Sequence, residues 1–489
     1  MSAKSLGARA ATSAAYVGGA QFVKLGLNVL STIVVARLLT PSDYGVIAMI
    51  APITAFLFMF QDLGLSQAAI QARTLTQAHG SSLFWLNIGA SAAITVALLA
   101  AAPLIGLFYH DGRTSAVAAA WGLIIMVAGT GLQHSALLNR DMRFGALALI
   151  DIISAIMAFV ATATAAFMLR SYWALWIGSL TGVVVSVVLF WKSSGWRPNT
   201  RPSFRGAGEM VRFGGKVSVA NMVNFLIRNA DNVLIGRVSG PAQLGLYDRS
   251  YKLMMLPLVN ISGPLGQVML PALGRLRDDG EAYRRAFLTA VRTLQLVLVP
   301  GAAVAAATSD RMIPFLLGPR WSAASDIFFW LSLTGLIQPL PNTMGWLFIT
   351  SGRVGEQLRW NIFSAAVTLA GFAVGIRYGA VGVAASLFFT AAVRVPILFW
   401  YAGIGTSVRA YDLYRSMREP YLAGAAAFYL AHKLSPYLPT GPLLLAGLLA
   451  GYVLAILLFL ATRDGRSLLK TIIRLCASGL RGFARGADR

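Results

Sequence analysis

Four polar residues in an early apolar stretch, Gln21, Lys24, Asn28 and Ser31, stand at spacings of three, four and three. Asn221, Asn224, Arg228 and Asp231 repeat those spacings two hundred positions later. On a helix this rhythm places each quartet on one face. The flanking sequence is apolar, so a polar stripe there faces a cavity or another helix rather than lipid. A Lys or Arg at mid-membrane costs roughly 2.5–3.5 kcal/mol, a cost sustained when the charge acts on something. Two matched stripes, each with a cation, imply a path for an anion. Lys24 and Arg228 would balance its charge. Gln21, Asn28, Asn221 and Asn224 would replace the water stripped from it, since unpaired polar groups are costly in such a place.

Several neighbouring charges carry two readings. Arg228 has a carboxylate, Asp231, close by on its own helix. Lys24 has no local partner, because the first apolar run contains no Asp or Glu. Asp231 is therefore an ion-pair partner for Arg228, a latch to Lys24, or the carrier of a coupling proton or sodium ion. Arg37 and Arg237 occupy matched outer helix ends and read as topological anchors or as an outer gate. Asp62 and Asp151 read as capping or packing residues. Arg292 and Arg394 read as snorkelling side chains near inner helix ends.

These residues need helices to hold them. The chain has 489 residues, 57% hydrophobic and 12% charged, with a mean hydropathy of +0.67. That balance cannot fold around a soluble core and indicates an all-α polytopic membrane protein. About fourteen apolar runs are long enough to span, from residues 14–36 at the start to 440–462 at the end. The thirteenth run, 419–435, is short and precedes a Pro-rich turn, so a re-entrant pair over 419–462 is a second arrangement. The net charge of +23 fits membrane orientation rather than nucleic-acid binding. With the N-terminus inside, 26 Lys and Arg fall in inner segments and 10 in outer ones, which places both termini in the cytoplasm. A single cysteine, Cys476, rules out an intrachain disulfide framework.

The stripes belong to a longer internal repeat. Ala36-Arg37, Pro41 and Gly45 match Gly236-Arg237, Pro241 and Gly245, and Asp151 to Ala155 resembles Asn361 to Ala365. Six spans per half is an even number, so both halves start on the same side. The expected architecture is two six-helix lobes, 1–200 and 201–405, related by a pseudo-twofold axis near the membrane normal. Two additional membrane helices cover 406–462. Residues 463–489 form a basic amphipathic tail suited to anionic inner-leaflet lipids. Pro52, Pro257 and Pro264 are expected to kink their helices. Gly178 with Gly182, and Gly371, Gly375 and Gly379, mark close helix contacts.

Enzyme signatures are missing. Gly214-Gly215-Lys216-Val217 lacks the hydroxyl residue and first glycine of a phosphate loop. The four histidines are too scattered for a metal site, and no cofactor is implied. A twofold membrane repeat without nucleotide hydrolysis is most simply a secondary transporter or flippase.

The stretch Ala36-Arg37-Leu38-Leu39-Thr40-Pro41-Ser42-Asp43-Tyr44-Gly45, with Asp62-Leu63-Gly64-Leu65, resembles the polysaccharide transporter family. So do Asn229 to Arg237, Leu244 to Tyr247 and Tyr251-Lys252-Leu253. These are flippases of lipid-linked oligosaccharide repeat units, in the superfamily that includes multidrug and toxin extrusion proteins. The resemblance covers roughly residues 10 to 400. It implies a V-shaped pair of lobes around a central cavity lined by the first, second, seventh and eighth helices. It also implies an undecaprenyl diphosphate substrate bearing a short glycan, exported across the bacterial inner membrane for surface polysaccharide synthesis (lipopolysaccharide or exopolysaccharide). Glycosyltransferases and a glycan polymerase would be its partners, and membrane potential, protons or sodium its drive. Three alternatives stand beside this reading. They are a cation-coupled multidrug exporter of the same superfamily, a membrane glycan polymerase or ligase, and a scaffold in a glycan-assembly complex.

Overall fold

A computed structural model describes residues 3–62, 66, 69–70, 75–199, 229–437 and 452–453. Every regular element among them is helical. The first part comprises α1 (Ala3–Leu38), α2 (Pro41–Gln61), α3 (Gln77–Tyr109), α4 (Gly112–Arg140), α5 (Phe144–Leu169) and α6 (Trp173–Ser194). After the undescribed 200–228 come α7 (Ala230–Arg275), α8 (Gly280–Ala307), α9 (Ser309–Leu317), α10 (Ala324–Ile337), α11 (Pro339–Thr350), α12 (Val354–Gly375), α13 (Gly379–Gly403) and α14 (Ala410–Leu434). Eight segments among the described residues are long and apolar enough to cross a membrane. The chain is a multi-pass membrane protein. Its last predicted run, 440–462, and its basic tail lie almost wholly outside the described residues.

The predicted run 325–349 is two helices rather than one. α10 ends at Ile337 and α11 starts at Pro339. Pro339 and Pro341 have no backbone N–H, so the helical ladder cannot run unbroken through them. In α7 the backbone leaves the helical region at Gly240 (φ 81°, ψ 178°), not at Pro257 or Pro264. Positive φ there suits a residue without a side chain, and Pro241 restarts the helix in the position it tolerates best.

The chain divides into two compact units that meet in sequence at Gly245 and Leu246. In the first, α3 packs on α4, α5 on α6, α6 on α4, and α1 along α5. The motif at Thr40–Gly45 has a structural task at nearly every position. Thr40 caps α2, its hydroxyl accepting from the Asp43 amide at 3.3 Å, while the Thr40 amide donates back to the Asp43 carboxylate at 2.9 Å. That reciprocal pair satisfies helix-end donors that would otherwise lack partners. The other Asp43 oxygen accepts from the Tyr172 amide at 3.1 Å, tying α2 to the start of α6. Ser42 accepts from Arg113 at 3.2 Å. Arg113 also pairs with Asp111 at 2.7 Å and holds that loop carboxyl below the usual carboxylate range, chiefly by its side-chain hydrogen bond.

The paired anchors of the sequence repeat cross each other here. A Cβ on Gly45 would fall 1.7 Å from the Pro241 carbonyl oxygen, and one on Gly245 would fall 1.8 Å from the Pro41 carbonyl oxygen. Each Pro-to-Gly turn therefore rests its glycine on the other's proline carbonyl. Small residues permit such backbone approach in membranes, where apolar helix faces gain little over lipid. Two of the glycines read from the sequence behave alike, whereas Gly379 sits at positive φ (66°) where α13 begins. A Cβ on Gly178 would meet Thr162 of α5 at 1.7 Å, and one on Gly371 would meet Thr390 of α13 at 2.5 Å.

In the second unit, α8 packs beside α14, α12 on α13, and α10 on both α8 and α13. Its core gathers Phe287, Met344, Leu347, Phe348 and Phe399, all buried. The start of α14 is pinned to α8. Arg284 donates to Asp412 at 2.9 Å, and the same carboxylate accepts from the Arg409 amide at 3.0 Å.

Gly45→Ala and Gly245→Ala should each cost about 1–3 kcal/mol, the usual penalty for forcing atoms into a filled contact. Gly89→Ala should be neutral or slightly stabilising, because a Cβ there meets nothing within 4 Å. Thermal unfolding midpoints in detergent check both. Asp412→Ala should cost about 1 kcal/mol through the lost cap, read as faster proteolysis between α13 and α14.

Candidate functional site

α1 carries the first polar stripe as the periodicity requires. Gln21 and Asn28 are exposed, and Lys24 and Ser31 are half-buried. Thr32 donates its hydroxyl to the Asn28 backbone carbonyl at 2.8 Å.

Lys24 has a partner that its own helix could not supply. Its Nζ lies 2.8 Å from Oδ2 of Asp151 on α5. This corrects two expectations. The helix of Lys24 supplies no carboxylate, as the sequence implies, and the partner from another helix is Asp151 rather than Asp231. Asp151 in turn is a counterion, not a cap or packing residue. One signal for the pair was present in the sequence. Lys24 is the sole charged residue between Arg9 and Arg37, and Asp151 the sole one in the whole of α5. A lone base and a lone acid in apolar spans each lower the other's cost by pairing. Which spans adjoin was not readable from the residues alone.

The pair is open. The Lys24 and Asp151 side chains keep 36% and 51% of their exposure. The pair joining α8 to α14, Arg292 to Glu419 at 3.4 Å, is more enclosed, with 21% and 15%. The snorkelling reading of Arg292 gives way to this interhelical pair. Arg394 is likewise turned inward, donating to the Ser364 hydroxyl and to the Thr390 carbonyl. A third charge cluster, missed in the sequence, surrounds the buried carboxylate of Asp248. Arg249 reaches it at 2.8 Å and Lys252 at 2.9 Å.

Of the second stripe, Asn221, Asn224 and Arg228 lie outside the described residues. Asp231 is described; it is buried and accepts from the Asn232 amide at 2.8 Å. Arg37 and Arg237 are both exposed, and Arg237 sits over the Phe108 ring at 5.8 Å. Among the described residues no cluster of His, Cys, Asp or Glu has the makings of a metal site.

A cation and amides on one helix face, with a carboxylate answering the cation, can bind and release an anionic group bearing hydroxyls. Residues 34–326 match the family described as polysaccharide biosynthesis protein. The chain is 22% identical to the lipopolysaccharide biosynthesis protein WzxC of Escherichia coli over 81% of each chain. It is 26% identical to the teichuronic acid biosynthesis protein TuaB of Bacillus subtilis, over 78% of this chain and 80% of that one. Among solved structures it is similar to the lipid II flippase MurJ in an inward closed conformation. The TM-score is 0.72, at 14% identity over 93% of this chain and 99% of that one. With a family match across more than half its length and the fold of that flippase, this chain belongs to the polysaccharide biosynthesis protein family.

Proposed function

We propose that the protein is a flippase that exports a lipid-linked oligosaccharide, carried on undecaprenyl diphosphate, from the cytoplasmic to the outer leaflet of the bacterial inner membrane. The observation that carries this reading is the Lys24 ammonium, held half-open on the polar face of α1 by Asp151. An ion pair that open is unfavourable against hydrocarbon, so that face belongs in a hydrated vestibule. The family match and the likeness to a flippase fold support the same reading.

The lobes, taken as 1–200 and 201–405, would rock about a shared cavity. Lys24 and Arg228 would balance the diphosphate. Gln21, Asn28, Asn221 and Asn224 would exchange hydrogen bonds with phosphate and sugar oxygens in place of water. The lipid tail would remain in the bilayer throughout. Asp231, Arg37 and Arg237 would serve coupling or gating. A diphosphate with about two negative charges gains on the order of 5 kcal/mol in moving outward across 100 mV, provided the protein cations stay fixed. Membrane potential alone can supply the drive; proton or sodium coupling is the second source. Both termini would be cytoplasmic, with the tail on anionic lipids near the glycosyltransferases that make the substrate. A glycan polymerase would take the product on the far side.

Lys24→Ala and Arg228→Ala should each abolish or strongly slow the appearance of glycolipid on the outer leaflet, whereas Lys24→Arg and Arg228→Lys should be milder. Normal outer-leaflet labelling by well-expressed forms of both alanine variants excludes the cation-lined path.

A further inference from the structure

We infer that Asp151 is a resident competitor for the substrate's phosphate: it occupies Lys24 while the site is empty and displaces the diphosphate so that it can leave. This rests on the flippase reading above.

Three observations carry it. The pair spans two helices at 2.8 Å yet stays open, with 36% and 51% of the side-chain exposure retained. In the pairs that tie helices together in the second unit the carboxylates are more closed: Glu419 keeps 15% and Asp412 8%, although Arg284 keeps the same 36% as Lys24. A buried ion pair is shielded from other anions. One that remains open can be reached by a second anion.

The internal repeat supplies the second observation. Aligned on the repeat anchors, Asn224 corresponds to Lys24 and Asn361 to Asp151, while Ser154-Ala155 and Ser364-Ala365 are kept. The second half thus carries neutral amides where the first half carries base and acid. The pair's charge is not a requirement of the repeated architecture. At these two positions it is present in one half only.

The third observation is the surrounding charge. The helix that carries Asp151, α5, packs against α1, α4 and α6. On those helices Arg113 is engaged with Asp111, His134 with the Ser194 hydroxyl and Arg140 with the Ala69 carbonyl, while Arg37 and Lys192 are exposed at helix ends. Lys24 is the charged group bonded to Asp151.

A lysine ammonium has three donors on a flexible stem. It can hold Asp151 and one phosphate oxygen in passing, then release either. A site that moves its cargo must bind well enough to load and weakly enough to unload. A bare Lys24 would load well and unload slowly. The carboxylate beside it returns the ammonium to a neutral pair as the diphosphate departs. Asp151 is therefore a positioning residue, acting through Lys24.

The test uses the full-length protein, purified and reconstituted, with undecaprenyl diphosphate as the probe and inorganic pyrophosphate in a parallel arm. The two arms separate a lipid headgroup from a free phosphate as the anion recognised. Asp151→Asn should bind undecaprenyl diphosphate about two- to fivefold more tightly, the range an open ion pair is worth. In flipping assays it should lower the half-saturating concentration and the maximal rate together. Asp151→Ser, a second neutral variant, should do the same should the Asn form fail to fold. Asp151→Glu should stay near the parent protein. In the Lys24→Ala background, Asp151→Asn should change nothing further. Unchanged or weaker binding by both neutral variants overturns the inference, as does a gain that persists without Lys24. Failure of the parent protein to bind either probe overturns the flippase reading itself.

Discussion

An ammonium group inside a membrane span is tolerable only where water or a counter-charge reaches it. Lys24 meets this condition through a counter-charge. Asp151 reaches across from α5 at 2.8 Å, and the pair stays open on its other side. The polar stripe of α1, the packing of α1 along α5 and the proposed handling of a phosphorylated headgroup all follow from that arrangement. The same constraint is met differently elsewhere. Arg394 turns to a serine hydroxyl and a threonine carbonyl, and Arg292 pairs with Glu419 in a more enclosed setting.

Close backbone contact is the second organising theme. Apolar side chains gain little by leaving lipid for protein, so helices in a bilayer are held by small residues, hydrogen bonds and tight packing. The reciprocal contact of Gly45 with Pro241 and of Gly245 with Pro41 is the densest example. It gives physical content to a motif otherwise known only as a resemblance. Thr40 caps, Pro41 starts the helix, Ser42 and Asp43 hold neighbouring segments, and Gly45 admits another backbone. The matched motif at Gly240–Gly245 begins with a break at positive φ, which redirects the chain just before its glycine reaches Pro41.

Much of the architecture is legible in the amino-acid sequence. Apolar runs report membrane spans directly, because a bilayer imposes a minimum length and forbids most charges within it. The offset of 200 between paired anchors announced a repeat, and the structure brings two of those anchor sets into contact. The spacing of Gln21, Lys24, Asn28 and Ser31 announced a single helical face, since 3.6 residues per turn is a property of the backbone. Less legible were the division of the run 325–349 at Gln338 and Pro339, the inward turn of Arg394, and the two cations on the buried Asp248.

What the sequence determined by itself was therefore the class of protein, most of its helices and the existence of a charged residue that had to be answered. What only the tertiary structure decided was which residue answers it. Lys24 and Asp151 are 127 positions apart, and periodicity relates residues along one helix, not between two. Helix packing sets which faces meet, and that packing turned a lone acid in α5 from an apparent packing residue into the counterion of Lys24.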